Sequence, residues 1–364
     1  MKYLTEFRNQ ELASGLLKRI ARRTLPKARI MEFCGGHTVT IFKHGLRQLL
    51  PPTIELVSGP GCPVCVTSTY DLDVVLEMSK IPDIILATFG DLFRVPASLG
   101  SLREQKALGG DIRIVYSPLD ALNIARDNPS RPVVFLGIGF ETTAPAVALS
   151  LLTAKKGSIR NYSVYSMHKL SPPILETILS SGTLDLQGLI CPGHVSTITG
   201  GKVWEPLARK YEVPSVVAGF EPLDILLAVD MICAQLEEGT PRAEIAYSRG
   251  VTWEGNIRAQ EAMEEVFEPA KANWRGVGWV PDSGLVIREE LADFDATRLF
   301  PVAPPPSREP AGCICGDILR GAKAPSDCAL FGTRCTPSDP VGPCMVSSEG
   351  SCSARYRYGG EVHG

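Results

Sequence analysis

The chain has 364 residues, enough for two or three domains, and hydrophobic residues make up 44% of it, which supports ordinary packed cores. Its 37 basic and 40 acidic residues leave a net charge of -3, so nothing in the composition points to nucleic acid. No apolar run approaches the roughly 18 residues that a membrane-spanning helix needs.

Residues 1–28 read as a surface helix whose loose apolar face is Leu4, Phe7, Leu12, Leu16 and Ile20. Charges run through it, and Glu6 and Glu11 argue against a transit peptide, while the apolar core of a secretory signal is absent. A cytoplasmic location is expected. There, the 11 cysteines are better read as metal ligands or redox thiols than as structural bridges.

From residue 29 to about 240, short apolar runs alternate with Gly- or Pro-rich turns and helical stretches. Strands are predicted at residues 30–33, 54–57, 84–88, 112–116, 133–136, 162–166, 189–191 and 216–218. Continuously apolar strands between helices indicate parallel sheets covered on both faces. Similar turns recur in the same order in both halves. Cys34-Gly35-Gly36-His37-Thr38 resembles Gly139-Phe140-Glu141-Thr142-Thr143, and Gly59-Pro60-Gly61-Cys62 resembles Cys191-Pro192-Gly193-His194. Thr88-Phe89-Gly90-Asp91 likewise resembles Ala218-Gly219-Phe220-Glu221. The expected fold is therefore α/β. Two similar parallel-sheet domains, 29–129 and 130–240, would face one another across a cleft, joined near Asn128-Pro129-Ser130. The loops after the strands' carboxyl ends would line that cleft. A third part, residues 241–364, contains a stretch without clear periodicity, a Pro-rich segment at 301–310 that reads as an extended linker, and a small, irregular, Cys-rich iron–sulfur domain.

Three sets of thiols carry the chemistry. Cys34 follows a strand, beside two glycines that let a ligand approach the backbone, and is a candidate soft-metal ligand. His37 is a candidate ligand or proton donor. Cys62-Pro63-Val64-Cys65 opens a helix, where the free N–H groups favour a thiolate; this is the arrangement of a redox dithiol. Half of a zinc site is the alternative, but no second Cys-x-x-Cys completes one. Further along, Gly137-Ile138-Gly139-Phe140-Glu141-Thr142 fails as a dinucleotide loop, since Thr142 stands where the last glycine belongs and Glu141 would repel a pyrophosphate. Glu141, Thr142, Thr143 and His194 are instead expected to offer polar groups to the cleft, with helix capping the competing role for each.

The third set is the densest: Cys313, Cys315, Cys328, Cys335, Cys344 and Cys352. A segment this poor in apolar residues needs a metal or disulfides to hold it. The last four are separated by six, eight and seven residues, without the paired knuckles of zinc sites or the ferredoxin spacing. Irregular loops still suit a cubane, so the spacing favours a [4Fe–4S] cluster on Cys328, Cys335, Cys344 and Cys352 over zinc. Cys313 and Cys315 are left over, as redox thiols or packing residues.

These motifs, together with Pro192-Gly193-His194-Val195-Ser196 and the run from Cys344 to Gly350, resemble the HypD hydrogenase-formation family over nearly the whole chain. The resemblance implies two similar α/β domains plus a cluster domain, and a part in maturing [NiFe] hydrogenases. It implies that Cys34 holds an iron that transiently carries two cyanides and one carbon monoxide, that Cys62 and Cys65 are a redox dithiol, and that Cys328, Cys335, Cys344 and Cys352 bind the cluster. It implies a small HypC-type chaperone and a HypE-type cyanide carrier as partners, with the hydrogenase large subunit a further candidate, and neither nucleic acid nor membrane. A cluster-dependent thiol–disulfide oxidoreductase acting on a separate substrate is the competing function, and Cys34 separates the two, because a pure reductase needs no third cleft thiol.

Overall fold

Eight runs rich in Val, Ile and Leu become parallel strands. The computed structural model describes residues 6–360. β1 (Ala28–Glu32), β2 (Ile54–Ser58), β3 (Ile85–Thr88), β4 (Asp111–Ile114), β5 (Val133–Gly137), β6 (Tyr162–Ser166), β7 (Gly188–Pro192) and β8 (Ser215–Ala218) coincide with the predicted set to within two residues at each end. A short strand β9 (Ala243–Ile245) and an antiparallel pair, β10 (Phe267–Trp274) with β11 (Gly278–Ile287), lie in the stretch where no periodicity is legible.

The strands form two parallel sheets, ordered β2-β1-β7-β8-β9 and β4-β3-β5-β6. The first four strands of each share one pattern, so two similar α/β units are present. They are nested rather than tandem. The second sheet, β3 to β6, is inserted between β2 and β7 of the first. The expected division at residue 129 therefore falls inside the second sheet, between the helix Pro118–Asp127 and β5. The motif correspondences change with it: β1 matches β3 and β7 matches β5, so Cys34 is the counterpart of the turn at Phe89 rather than of Gly139. The cause is non-local. Strand–turn–helix units look alike in sequence, whereas sheet membership is decided by pairing across as many as 158 residues, as between Ile30 and Gly188.

In this strand order the chain leaves β1 for one side and β7 arrives on the other, so the carboxyl ends of β1 and β7 border a crevice where ligands bind. Cys34 and Gly193 stand there. The equivalent crevice of the second sheet lies between β3 and β5.

A line of buried rings ties the parts together. Phe33, next to Cys34, is 6.1 Å from Phe140 after β5, and Phe140 stacks at 6.1 Å on Trp274 of the hairpin. Truncating such a buried ring costs about 3–5 kcal/mol. One core cluster runs from Met31 and Phe33 through Cys62, Cys65 and Leu136 to Ile318, Leu319, Met345 and Val346. The Cys-rich region is thus not a free-standing core-poor unit. Its buried apolar residues Ile318, Leu319, Met345 and Val346 sit on the short helices Cys315–Leu319 and Pro343–Val346, turned onto the main body, and Leu330, Phe331 and Val341 pack beside them. The Pro-rich segment is bound rather than loose: Ser307 donates to buried Asp73 at 2.6 Å, Thr69 donates to Glu309 at 2.6 Å, and Arg275 pairs with Glu309.

The N-terminal helix spans Gln10–Ala21, capped by Asn9. Ala13, Leu16, Leu17 and Ile20 face the core, and Arg23 pairs with Asp230 and Glu237 on the helix Pro222–Glu238. Leu12, expected on the buried face, is 58% exposed, and Leu4 lies outside the described residues. No helix among the described residues is long and apolar enough to cross a membrane.

Candidate functional site

Cys34 is the N-cap of the helix Gly35–Lys43, in extended conformation with φ -158° and ψ 128°. Its loop is fastened from behind by Glu32, a fully buried carboxylate that accepts from Cys34 N at 3.2 Å and from Thr38 Oγ1 at 2.6 Å. Burial raises the Glu32 carboxyl to about 7, against the pull of its Ser58, Thr38 and Cys34 donors. The Cys34 side chain is half-buried. Burial and the Glu349 carboxylate push its thiol up to about 12, while the N–H groups of Gly36 and His37 act in the opposite sense. A thiol so placed stays protonated until a bound cation displaces its proton.

Glycines allow the surrounding elements to close on Cys34. A Cβ at Gly36 would come 2.9 Å from Phe220, and one at Gly35 would run into Glu349. Gly61 is the tightest: a Cβ there would lie 2.5 Å from Cys34 Cα, and its carbonyl accepts from Gly35 N at 3.2 Å. The segment leading into Cys62 is thereby pressed against Cys34. Cys62 and Cys65 form a disulfide, with Cα atoms 5.3 Å apart, at the start of the helix Pro63–Val66.

The other expected cleft residues divide. Thr142 and Thr143 line an open cavity of about 440 Å³ together with Val64, Phe89, Tyr116 and Glu349, so the loops of the second sheet meet the Cys62–Cys65 segment there. Glu141 has the capping role: it is buried and accepts from Ser171 N at 2.7 Å and Ser171 Oγ at 2.9 Å, and burial raises its carboxyl to about 7. His194 is stacked on Phe220 with ring centroids 3.9 Å apart, and His37 packs against the same ring at 5.1 Å. His37 is fully buried, its Nε2 lies 3.2 Å from Ala218 O, and Nδ1 has no hydrogen-bond partner. Burial lowers His37 to about 4, so it is neutral near pH 7.

All six C-terminal cysteines line one narrow cavity, walled otherwise by Ile318, Leu330, Phe331, Gly342 and Met345. Within it, Cys315 Sγ and Cys344 Sγ are 2.7 Å apart, and both are buried. Cys344 also interacts with Cys352. Cys313 interacts electrostatically with Cys315, Cys328 and Cys352, and Cys335 with Cys328 and Cys352. Cys335 Sγ accepts from Val341 N at 3.3 Å, and Gly342 leaves no room for a Cβ beside Cys313 Sγ, at 2.5 Å. Among the described residues no group of three or more His, Cys, Asp or Glu is drawn together as a single metal ion requires. The chemistry of this donor set, soft thiols between apolar walls with a backbone N–H aimed at sulfur, would suit an iron–sulfur cluster, in which each iron takes one thiolate from its own direction.

The cavity and the disulfide are neighbours. Pro343 O, beside Cys344, is 3.9 Å from Cys65 Sγ, and the helix Pro343–Val346 packs on the helix Pro63–Val66. Phe220, Gly61 and Glu32 organise this site without having been singled out by the sequence reading. Gly61 and Phe220 had a signal, each lying in one of the recurring turns after a strand; Glu32 had none apart from standing two residues before Cys34.

Fold and site together define a class: a nested α/β protein that sets a single crevice thiol against a disulfide, and the disulfide against a cavity ringed by six thiols. A family model described as "Hydrogenase formation hypA family", HypD, matches residues 11–359. The chain is 48% identical over 368 residues to hydrogenase expression/formation protein HupD of Azotobacter chroococcum mcd 1, covering 99% of this chain and 97% of that protein. It is 47% identical over 368 residues to hydrogenase maturation factor HypD of Azotobacter vinelandii, with coverage of 99% and 97%. It is 45% identical over 372 residues to hydrogenase maturation factor HypD of Rhodobacter capsulatus, with 99% of each covered. The chain belongs to the HypD family of hydrogenase-formation proteins.

Proposed function

We propose that this protein acts in the cytoplasm in the maturation of [NiFe] hydrogenases, holding an iron ion as cargo at Cys34 while cyanide and carbonyl ligands are attached to it. The observation that carries this reading is the alignment of thiols: Cys34 at the crevice, the Cys62–Cys65 disulfide pressed against it through Gly61, and the thiol cavity behind the disulfide through Pro343. A low-spin iron with such ligands needs a soft thiolate and shelter from water. Gly35 and Gly36 let Glu349 and Phe220 close on Cys34, which shelters the thiol, and a further ligand to the iron would come from a small HypC-type chaperone.

Cyanide delivered by a HypE-type carrier as a thiocyanate leaves only when its S–C bond is cut with two electrons. Cys62 and Cys65 as thiols can supply both. Their S–H protons pass to the carrier's sulfur and to cyanide, the carrier regains its thiol, and the S–S bond seen in the structure forms. A [4Fe–4S] cluster in the thiol cavity would supply single electrons. For its ligands the spacing favours Cys328, Cys335, Cys344 and Cys352, all of which line the cavity; the 2.7 Å approach of Cys315 to Cys344 leaves both thiols free. The finished iron group would pass to the hydrogenase large subunit.

A general thiol–disulfide oxidoreductase acting on a separate protein fits less well, since it has no use for Cys34, the third thiol against which Gly61 presses the Cys62–Cys65 segment. Complementation of a strain lacking this protein tests the reading. Cys34→Ser, present at wild-type level, is expected to give no active hydrogenase, while Cys233→Ala, which alters a buried thiol behind the first sheet, retains activity. Full activity with Cys34→Ser would contradict it.

A further inference from the structure

The six cavity thiols are not equivalent. Cys315, Cys335, Cys344 and Cys352 are buried, while Cys313 and Cys328 are half-exposed. The two half-exposed thiols lie on adjoining segments: Cys328 Sγ is 4.0 Å from Gly312 O, and a Cβ at Gly312 would touch Leu330 at 3.5 Å. Cys344 lies at the opposite, inner end, where Pro343 meets Cys65. The cavity therefore has an inner end at the disulfide and an outer end at the surface. Cys62 and Cys65 are 4% and 0% exposed, so a route through the cavity brings electrons to the disulfide without a reductant having to touch it.

We propose that the surface formed by residues 310–313 and 328–330 is where electrons enter, and that the partner docking there is a small protein with a one-electron iron–sulfur centre near its own surface. The inference rests on the reading above, that a cluster occupies the thiol cavity. The rim suits such a partner. Ala311, Gly312 and Ala329 are exposed and carry almost no side chain, so a second redox centre can come close to Cys313 and Cys328. Electron transfer falls steeply with distance, which makes close approach the main demand on this surface. Exposed Asp327 and Arg334 flank it and give the polar margin of a brief encounter, the smallest class of protein interface. The balance closes with two partner molecules. Each gives up one electron and is oxidised, and the Cys62–Cys65 bond takes both electrons with two protons from solvent and becomes two thiols.

The test uses the whole cluster-loaded protein under anaerobic conditions. One reductant is a plant-type [2Fe–2S] ferredoxin kept reduced by its reductase and NADPH; the other is methyl viologen radical. Thiol trapping reads the reduction of Cys62–Cys65. Ala311→Trp and Ala329→Trp, both on exposed positions of different segments, are expected to slow reduction by ferredoxin about tenfold, the effect of losing about 1.4 kcal/mol of docking energy. Reduction by viologen is expected to be unchanged. In cluster-free protein, Cys313 and Cys328 should be alkylated before the other four cavity thiols. Ferredoxin acting on both variants at the wild-type rate, failing on the wild type where viologen succeeds, or alkylation without that order would overturn this inference alone. If viologen also leaves the wild-type disulfide oxidised, the functional reading beneath it falls as well.

Discussion

Gly61→Ala probes the contact on which the site depends. Gly61 is not in the left-handed region of φ, so alanine meets no backbone penalty there and the effect is steric. The added Cβ would lie 2.5 Å from Cys34 Cα and 2.6 Å from Phe33 C, against about 3.5 Å for an unstrained contact. Both obstacles are backbone atoms at the end of β1, anchored by the buried Phe33 ring and by Glu32, so one loop has to move by about 1 Å in a close-packed interior. Overpacking of this kind destabilises by about 1–3 kcal/mol, and the upper half of that range is expected because no flexible side chain can yield. The variant should unfold a few degrees below the wild type, and its Cys34 should react with iodoacetamide at an altered rate. Gly15→Ala is the control: a Cβ there meets nothing within 4 Å, inside the helix Gln10–Ala21, and should stabilise by about 0.5–1 kcal/mol. A Gly61→Ala protein with wild-type melting and wild-type Cys34 reactivity would refute the claim that the two loops are in forced contact.

Three further outcomes follow from the same geometry. Cys344→Ser is expected to lose the cluster's visible absorption, while Cys313→Ser keeps it; the reverse pattern would put Cys313 in the ligand set in place of Cys344. Thiol trapping after mild oxidation and reduction should show a two-thiol change that Cys62→Ser removes, and persistence of that change would place it on another pair. Burial holds the Glu141 and Glu32 carboxyls near 7 rather than 4.5, so between those values the native state binds more protons than the unfolded state and stability falls as pH rises. The fall is at most about 3 kcal/mol for each group. Urea unfolding at pH 5 and pH 7.5 should show it, and Glu141→Gln should reduce the difference by about half.

The local signals in the sequence were legible. All eight central strands appear, because continuous Val, Ile and Leu runs such as residues 133–136 have no stable place except inside a parallel sheet. The three thiol sets were legible as well, since spacing and neighbours mark Cys34, Cys62–Cys65 and the C-terminal group. What was not legible is long-range. Nothing near Asn128 shows that the second sheet is an insertion into the first, and nothing in the spacing of Cys315 and Cys344 shows that they meet. The hairpin β10–β11 was hidden because its alternation is broken, with a register shift between Ala270 and Ala272. Glu141 could be read either as a cleft residue or as a cap; that its carboxylate takes Ser171 was not legible, because that partner lies 30 residues away.

The central claim, that Cys34 anchors an iron carrying cyanide and carbonyl beside an independent cluster, is tested most directly by infrared spectroscopy. The protein should be purified anaerobically together with its small chaperone, as wild type and as Cys34→Ser. Serine keeps the volume but offers a hard, poorly deprotonated oxygen to soft iron. The account predicts metal-bound cyanide and carbonyl bands in the wild type, and their loss in Cys34→Ser with the cluster's visible absorption intact. A Cys34→Ser protein that still carries those bands would contradict it and move the anchor to Cys62 or Cys65.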